Sequence, residues 1–144
     1  MKRAIIHARI LKETGEVTEN GYAVFDESGI LKLGEGELED SADQIIEGRG
    51  QTLMPGLIDC HVHLGFGGMS PDTPEIEQGL SIAMQLKEFA KYGITTIRSM
   101  ATKDDGDIKM RNLVKAGYLT GPRIIASGRG ICITGGHGWP MNYE

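Results

Sequence analysis

Two histidines, His61 and His63, have the residue type and the spacing that could support chemistry in this sequence. They lie near the end of an apolar run, residues 52–65, whose pattern predicts a β-strand. In a strand, side chains two residues apart point to the same face and lie about 6 to 7 Å from each other. Because neutral imidazole is a common ligand of metal ions, the spacing predicts that both rings can converge on one metal.

Asp59 and the residues around the pair strengthen this interpretation. Alternation along the strand predicts that Asp59 shares the face of both histidines, where a carboxylate could fix an imidazole tautomer or touch the metal. The glycine-rich stretch 65–68 leaves space where a substrate would sit. Histidines at this spacing are more commonly surface polar residues. Here the Pro55-Gly56 break precedes a run that is apolar on both faces, which is typical of a parallel sheet and favours the metal site.

His137 is a third candidate. It lies in a glycine-rich segment, residues 127–139, that follows the last predicted strand. Loops after strands carry the chemistry in α/β barrels, so a barrel would place His61, His63 and His137 on one face. A histidine in such a loop can also be simply solvated, and the residues alone leave both interpretations open.

The elements that must hold these residues alternate along the chain. Thr73, before Pro74, is expected to cap the first helix and Gly93 to end it, while Asp107 is expected to cap the second and Gly117 to end that one. This order requires parallel strands with right-handed crossovers, and it allows a doubly wound sheet as well as a barrel. The predicted segments are a strand within 52–65, a helix from 73, a strand at 94–100, a helix at 107–116 and a strand at 122–127.

Residues 1–51 predict a different arrangement, in which short strands are joined by turns. They contain no constellation of site-like residues, and the isolated His7 is assigned a structural role. The predicted strands are 4–10, 22–25, 30–33 and 44–46.

The run Met-Pro-Gly-Leu-Ile-Asp-Cys-His-Val-His, residues 54–63, resembles the first barrel strand of the amidohydrolase superfamily, metal-dependent hydrolases with a TIM-like (β/α)8 barrel. Residues 121–124, Gly-Pro-Arg-Ile, together with Thr-Gly-Gly-His-Gly at 134–138 and Arg98, resemble the branch of Xaa-Pro dipeptidases and imidazolonepropionase relatives. The chain departs from that branch at Ser99 and Ala101, where an aspartate and a glycine are usual, which puts the role of that loop in question.

The resemblance implies an α/β fold built as a partial TIM-like (β/α)8 barrel. Residues 52–144 would be its first three strands, and residues 1–51 the N-terminal part of a small β-sandwich. A closed barrel takes about 200 to 250 residues, so the 144 residues present would be an incomplete one. The remaining barrel segments are therefore expected partners, and the complete enzyme is expected to be a homo-oligomer.

The resemblance also implies roles for the candidate residues. His61 and His63 would bind Zn²⁺, with two ions per complete active site, while Asp59 would support the imidazole rings. His137 would bind the carboxylate end of a small-molecule amide or dipeptide substrate. The bridging ligand, the later histidines and the general base fall outside these 144 residues. No catalytic residue is therefore assigned within them, and the chain alone is expected to be inactive.

Composition and charge argue against several classes of function. A net charge of −5 argues against a nucleic-acid partner, and no apolar run is long enough to span a membrane. Cys60 and Cys132 lie in apolar runs and are predicted to be buried thiols, which suits a reducing compartment. These features predict a cytoplasmic protein.

Two alternatives to the amide hydrolase remain open. One is a noncatalytic truncated fragment or interaction module, which would bind a partner polypeptide through its unpaired sheet edges. The other keeps the metal but changes the bond, as in a cyclic-amide hydrolase or a phosphotriesterase-like relative.

Overall fold

The computed structural model describes residues 1–65, 73–136 and 138, which divide into two compact units. The units are Met1–Pro55 and Gly56–Glu144. The sequence placed the division after residue 51, whereas the structure places it after Pro55. The reason is that Thr52 and Leu53 pair with the first strand of the first unit.

The first unit is a five-stranded sheet in the order β3-β2-β1-β4, with β5 also paired to β1. Neighbours β1 and β2, and β2 and β3, are antiparallel, while β4 and β5 run parallel to β1. Buried Ala4, Tyr22 and Val24 form its core. The four predicted strands are present, and β5 is an additional short one. The strands are β1 (Arg3–Leu11), β2 (Val17–Asp26), β3 (Gly29–Glu35), β4 (Gln44–Glu47) and β5 (Thr52–Leu53).

His7 lies at an irregularity of β1, between Ile5 and Ala8, with a positive φ of 51°. Its Nδ1 lies 2.9 Å from Glu47 Oε1, and its Nε2 lies 3.5 Å from Glu37 Oε2. The hydrogen bond to Glu47, followed by the charge of that carboxylate, raises the pKa of His7 above its ordinary value of 6.5. The histidine therefore joins β1 to β4 through an ion pair when it is protonated.

We expect the His7–Glu47 pair to make the first unit pH-sensitive. Because the folded-state pKa is raised, the stabilisation is fully present below the unfolded value of 6.5 and is lost as pH rises through the folded value. Glu47→Gln should lower the pKa of His7, which can be measured from the pH dependence of its carbethoxylation by diethyl pyrocarbonate, a reaction of neutral imidazole. Glu19→Gln is the matched control, since Glu19 pairs with Arg9 instead. Identical profiles for all three proteins would contradict the prediction.

The second unit is a parallel three-stranded sheet in the order β6-β7-β8, with a helix in each connection. The predicted α/β class and the β-α-β-α-β order are confirmed. A short 3-10 turn, Lys103–Asp105, precedes the second helix. The elements are β6 (Leu57–Val62), α1 (Glu75–Lys91), β7 (Ile94–Ser99), α2 (Gly106–Lys115) and β8 (Arg123–Ala126).

The core of the second unit lies between the sheet and its helices. On α1, Ile82 and Leu86 are four residues apart and therefore share one face of the helix, which is buried. They pack with Val62, Ile97 and other buried apolar side chains, and Phe89, Met110 and Val114 pack partly buried against this cluster. Within the described residues, no helix is both long and apolar enough to cross a membrane.

Both predicted helix caps are wrong. Helix α1 begins at Glu75 with Pro74 in the capping position, and no described side chain caps it, so Thr73 does not have the predicted role. Helix α2 begins at Gly106, and the capping position is taken by Asp105 in the left-handed conformation. Asp107 lies inside the first turn and is fully buried. The preceding 3-10 turn displaced the start of the helix from the predicted residue.

The predicted burial of Cys60 is also wrong, because β6 is an edge strand of the three-stranded sheet. Leu57 and Ile58 in the same strand are 49% and 65% exposed. Cys132 is partly exposed and lies outside any strand. Cys60 is a free thiol.

Candidate metal-binding site

His61 and His63 lie at the carboxyl end of β6, with His63 directly after the last strand residue. Their Nε2 atoms are 3.3 Å apart, their ring centroids are 5.2 Å apart, and the ring planes cross at 67°. Both side chains are exposed. The predicted convergence of the two rings is thus present in the structure.

The separation of the two nitrogens fits a shared metal ion. Two ligands about 2.0 Å from a tetrahedral zinc ion stand about 3.3 Å from each other. The same distance also permits one ring to donate an Nε2–H to the other, which requires the acceptor ring to be neutral with its proton on Nδ1. In both arrangements, the shared metal ion and the hydrogen bond, the Nε2 atoms of His61 and His63 face each other. Within residues 1–65, 73–136 and 138, no group of three or more His, Cys, Asp or Glu side chains could hold a metal ion.

Asp59 contacts the backbone of the pair. Its Oδ1 accepts a hydrogen bond from the backbone N–H of His61 at 3.1 Å, a local turn of the kind that aspartate side chains favour. The β6–β7 register is irregular between Asp59 and Val62, so the simple alternation on which the shared face was predicted does not extend across this stretch. Asp59 therefore fixes the chain at His61, and its support of the imidazole rings stays a prediction.

Packing on both sides of His63 fixes the end of β6. Val62 and Leu64 are buried in the core, so His63 between them faces outward. The backbone N–H of Met100 donates to the carbonyl of Val62 at 2.8 Å, and that of Gly65 donates to Gln85 Oε1 on α1 at 3.0 Å. These contacts hold the carboxyl end of β6 against both its neighbouring strand and its helix.

The start of β6 depends on a glycine. A Cβ placed on Gly56 would lie 2.2 Å from side-chain atoms of Thr95 on β7, closer than any real contact. The residue thus allows β6 to approach β7, and the backbone N–H of Leu57 donates to the carbonyl of Gly93 at 2.9 Å. The glycine of the Pro-Gly pair noted in the sequence is therefore needed for the placement of the strand that carries both histidines.

The segments after β7 and β8 meet at the same edge of the sheet. The backbone N–H of Ala101 donates to Ser127 Oγ at 2.7 Å, and that of Thr102 donates to the carbonyl of Gly128 at 3.0 Å. Arg98 on β7 is exposed. His137 lies outside the described residues, so its predicted place beside the histidine pair stays a prediction.

Two residues that depart from the dipeptidase branch have unusual environments. Ser99 is fully buried, and its hydroxyl has no hydrogen-bond partner among the described residues. Ala101 has a φ of 71°, a left-handed conformation that glycine adopts without strain and alanine does not. The glycine that is usual in the branch would fit the backbone at residue 101, so the alanine of this chain is held there by its surroundings.

Asp107 is the polar residue near this edge that the sequence did not assign correctly. Its carboxylate is fully buried and accepts backbone hydrogen bonds from Ser127 and Gly128 at 3.0 and 3.2 Å. A lone aspartate at a helix start predicts a cap, and no signal in the sequence indicates contacts twenty residues later.

Comparison with known proteins connects this geometry to a family. The sequence profile of the amidohydrolase family matches residues 52–134, which include β6, the histidine pair and all of the parallel sheet. The chain belongs to the amidohydrolase family. A 5-methylthioadenosine/S-adenosylhomocysteine deaminase of Bacillus cytotoxicus is 30% identical to this amidohydrolase chain, over 69% of the chain and 28% of the deaminase. A dihydroorotase of Clostridioides difficile is 31% identical, over 67% of the chain and 21% of the dihydroorotase.

Solved structures resemble the amidohydrolase chain over its whole length. A Xaa-Pro dipeptidase with bound methionine in its active site is 27% identical with a TM-score of 0.87, covering 100% of this chain and 37% of the dipeptidase. A prolidase complexed with N-methylphosphonate-L-proline is 27% identical with a TM-score of 0.84, covering 96% of this chain and 35% of the prolidase. The predicted resemblance to the family and to its dipeptidase branch is confirmed. The chain spans little more than a third of these enzymes.

Proposed function

We propose that this chain is part of a metal-dependent amidohydrolase that cleaves a carbon–nitrogen amide bond in a dipeptide or an N-acyl amino acid. The observation that carries the proposal is the meeting of His61 Nε2 and His63 Nε2 at 3.3 Å on the carboxyl edge of a parallel sheet. The likeness to a dipeptidase and a prolidase supports the substrate class. The residues of this chain would bind the metal and one end of the substrate.

His61 and His63 would hold a zinc ion, with two ions in the complete site. Bound zinc lowers the pKa of a coordinated water toward about 7 and polarises the substrate carbonyl. Catalytic zinc sites use three or more protein ligands, and the described residues offer two in one place. The remaining ligands and the general base would therefore come from outside the described residues.

A partial barrel explains which surfaces of the second unit are apolar and open. Leu57 and Ile58 on β6 and Ile125 on β8 are exposed, and these are the two edge strands of the sheet. On α1, Leu80 and Met84 are 64% and 71% exposed. We propose that the remaining barrel strands and helices cover these surfaces, and that the first unit is the N-terminal part of a β-sandwich. A cytoplasmic location and homo-oligomerisation remain predictions.

Another C–N substrate is the second candidate. The relatives named as a deaminase and a dihydroorotase favour it, since they match the same chain at 30% and 31% identity. To separate the two, we would assay the chain assembled with the remaining barrel segments, loaded with Zn²⁺, on Xaa-Pro dipeptides, N-acyl amino acids, cyclic amides and 5-methylthioadenosine. Hydrolysis of the first two classes supports the proposal. Activity confined to the last two would replace the substrate class, and no metal-dependent hydrolysis would favour a noncatalytic module.

His137→Ala should weaken the use of substrates that carry a free carboxylate, because the proposed role of His137 is to bind that group. In the assembled enzyme we expect KM for a dipeptide to rise by about tenfold, the loss of one charge-assisted hydrogen bond. Zinc content, measured by elemental analysis, should not change. His7→Ala is the matched control, because His7 belongs to the sheet of the first unit.

The substrate comparison makes this prediction specific to the carboxylate. A C-terminal amide of the same dipeptide should be used equally by the wild type and His137→Ala. Loss of zinc in the variant would instead make His137 a metal ligand. An equal effect of the substitution on both substrates would refute the role in carboxylate binding.

A further inference from the structure

The segments that follow β7 and β8 are joined by one buried carboxylate, that of Asp107. Asp107 and Thr102 are 0% and 1% exposed, so their contacts form out of reach of solvent. Asp107 Oδ1 accepts from the Thr102 hydroxyl at 2.9 Å and from the backbone N–H of Ile108 at 2.8 Å. Oδ2 accepts from the backbone N–H groups of Ser127 at 3.0 Å and Gly128 at 3.2 Å. Each oxygen therefore accepts two hydrogen bonds.

Of the two segments that Asp107 joins, the one after β7 has a strained backbone and the one after β8 packs closely against α2. After β7, Ala101, Asp104 and Asp105 all have positive φ values, of 71°, 52° and 55°. Non-glycine residues hold such conformations only where their surroundings enforce them, and these residues cluster at functional sites. After β8, a Cβ on Gly128 would lie 3.1 Å from Asp105 Oδ1 and 3.2 Å from Ile108 Cδ1. A side chain there would require these atoms to shift by a few tenths of an ångström, and the φ of 74° at Gly128 is one that glycine adopts without strain.

We propose that Asp107 is a positioning residue, which locks the segments after β7 and β8 together and so sets the place of the substrate-binding side of the site. This inference rests on the proposed function. The segment after β8 leaves the sheet at Ser127, at the carboxyl edge where β6 delivers His61 and His63. Asp107 itself is fully buried and lies inside a helix, so it acts through Ser127 and Gly128 rather than on the substrate.

Asp107→Asn tests the proposal in the zinc-loaded enzyme assembled from this chain and the remaining segments. Backbone N–H groups donate to both carboxylate oxygens of Asp107. In either orientation of the asparagine side chain, its NH2 group would therefore face an N–H group and lose a hydrogen bond. Hydrogen–deuterium exchange of the peptide with Ser127 and Gly128 should become about tenfold faster, since a buried hydrogen bond is lost. KM for the dipeptide should rise about fivefold or more, kcat should change less, and zinc content should stay the same.

Two further variants separate positioning from general damage. Asp104→Asn removes a carboxylate from the same segment, where it is exposed and lies 3.5 Å from Arg129 Nη2. It should behave as the wild type. Thr102→Val removes the hydroxyl that binds Asp107 and should reproduce part of the effect of Asp107→Asn. Thr102→Ser retains the hydroxyl and should behave as the wild type.

Three outcomes would overturn the proposal. They are unchanged exchange at Ser127 and Gly128 in Asp107→Asn, faster exchange with unchanged KM and kcat, and an equal effect of Asp104→Asn. If the wild type itself hydrolyses no amide, the proposed function fails. The exchange result then still decides whether Asp107 joins the two segments, so the two failures can be told apart.

Discussion

Replacing both His61 and His63 with alanine should remove at least one zinc ion from the assembled enzyme and abolish its hydrolysis. Loss of a residue that only supports a ligand lowers metal affinity about 10- to 100-fold, and loss of two ligands from one ion should exceed this. Elemental analysis of the purified protein, with activity before and after zinc addition, measures the effect. The fold should persist, because both side chains are exposed.

Single variants and a histidine of the first unit are the controls for this experiment. His61→Ala and His63→Ala should each weaken zinc binding, since the two Nε2 atoms are 3.3 Å apart and would bind the same ion. His7→Ala should leave zinc content unchanged. A double variant that keeps the metal content of the wild type would remove the basis of the metal site and leave the pair as a hydrogen-bonded surface contact.

The 144 residues expressed alone should be insoluble, oligomeric or only partly folded. In the part of the chain that the structure describes, β6 and β8 are the two edge strands of the parallel sheet, and open edges promote association. Ile58 and Ile125 on these strands are 65% and 49% exposed, and α1 adds Leu80 and Met84. Sedimentation velocity should show species larger than a 15.6 kDa monomer, and thermal melting by circular dichroism should lack a cooperative transition.

The remaining barrel segments should prevent the association of this chain by covering its exposed apolar side chains and its open strand edges. Co-expression with the remaining barrel segments should give a monodisperse species with a cooperative melt. Ile58→Lys, a charge on the open edge, should reduce association of the chain alone, while Lys2→Ala in the first unit should not. A monodisperse monomer of the unaltered chain with a cooperative melt would show that the second unit closes its own core, and the partial barrel would have to be abandoned.

The order of the elements and the histidine pair could be predicted because both depend on local patterns. Period-2 and helical spacing of apolar residues predict strands and helices directly, so β6, α1 and β7 were expected where they occur. The pairing of His61 and His63 follows from two histidines that flank the buried Val62, the last residue of β6. Both features can therefore be predicted from a short stretch of sequence.

Burial and capping could not be predicted in the same way, because they depend on neighbours distant in sequence. Cys60 was expected to be buried because its strand is apolar on both faces, yet an edge strand leaves it exposed. Thr73 and Asp107 have the residue types of helix caps, but Pro74 and Asp105 occupy the capping positions. The partners of Asp107 come from after β8, a contact that only the folded chain brings together.

The carboxylate that joins the two strand ends also limits how this site can be re-engineered. Loops on α/β scaffolds are commonly treated as independent parts that can be exchanged one at a time. Here the backbone N–H groups of Ser127 and Gly128, after β8, donate to the side chain of Asp107 on α2, the helix that precedes β8. A graft of residues from 127 onward should therefore succeed only when the new backbone offers the same two N–H groups, or when residues 101–107 are transplanted with it.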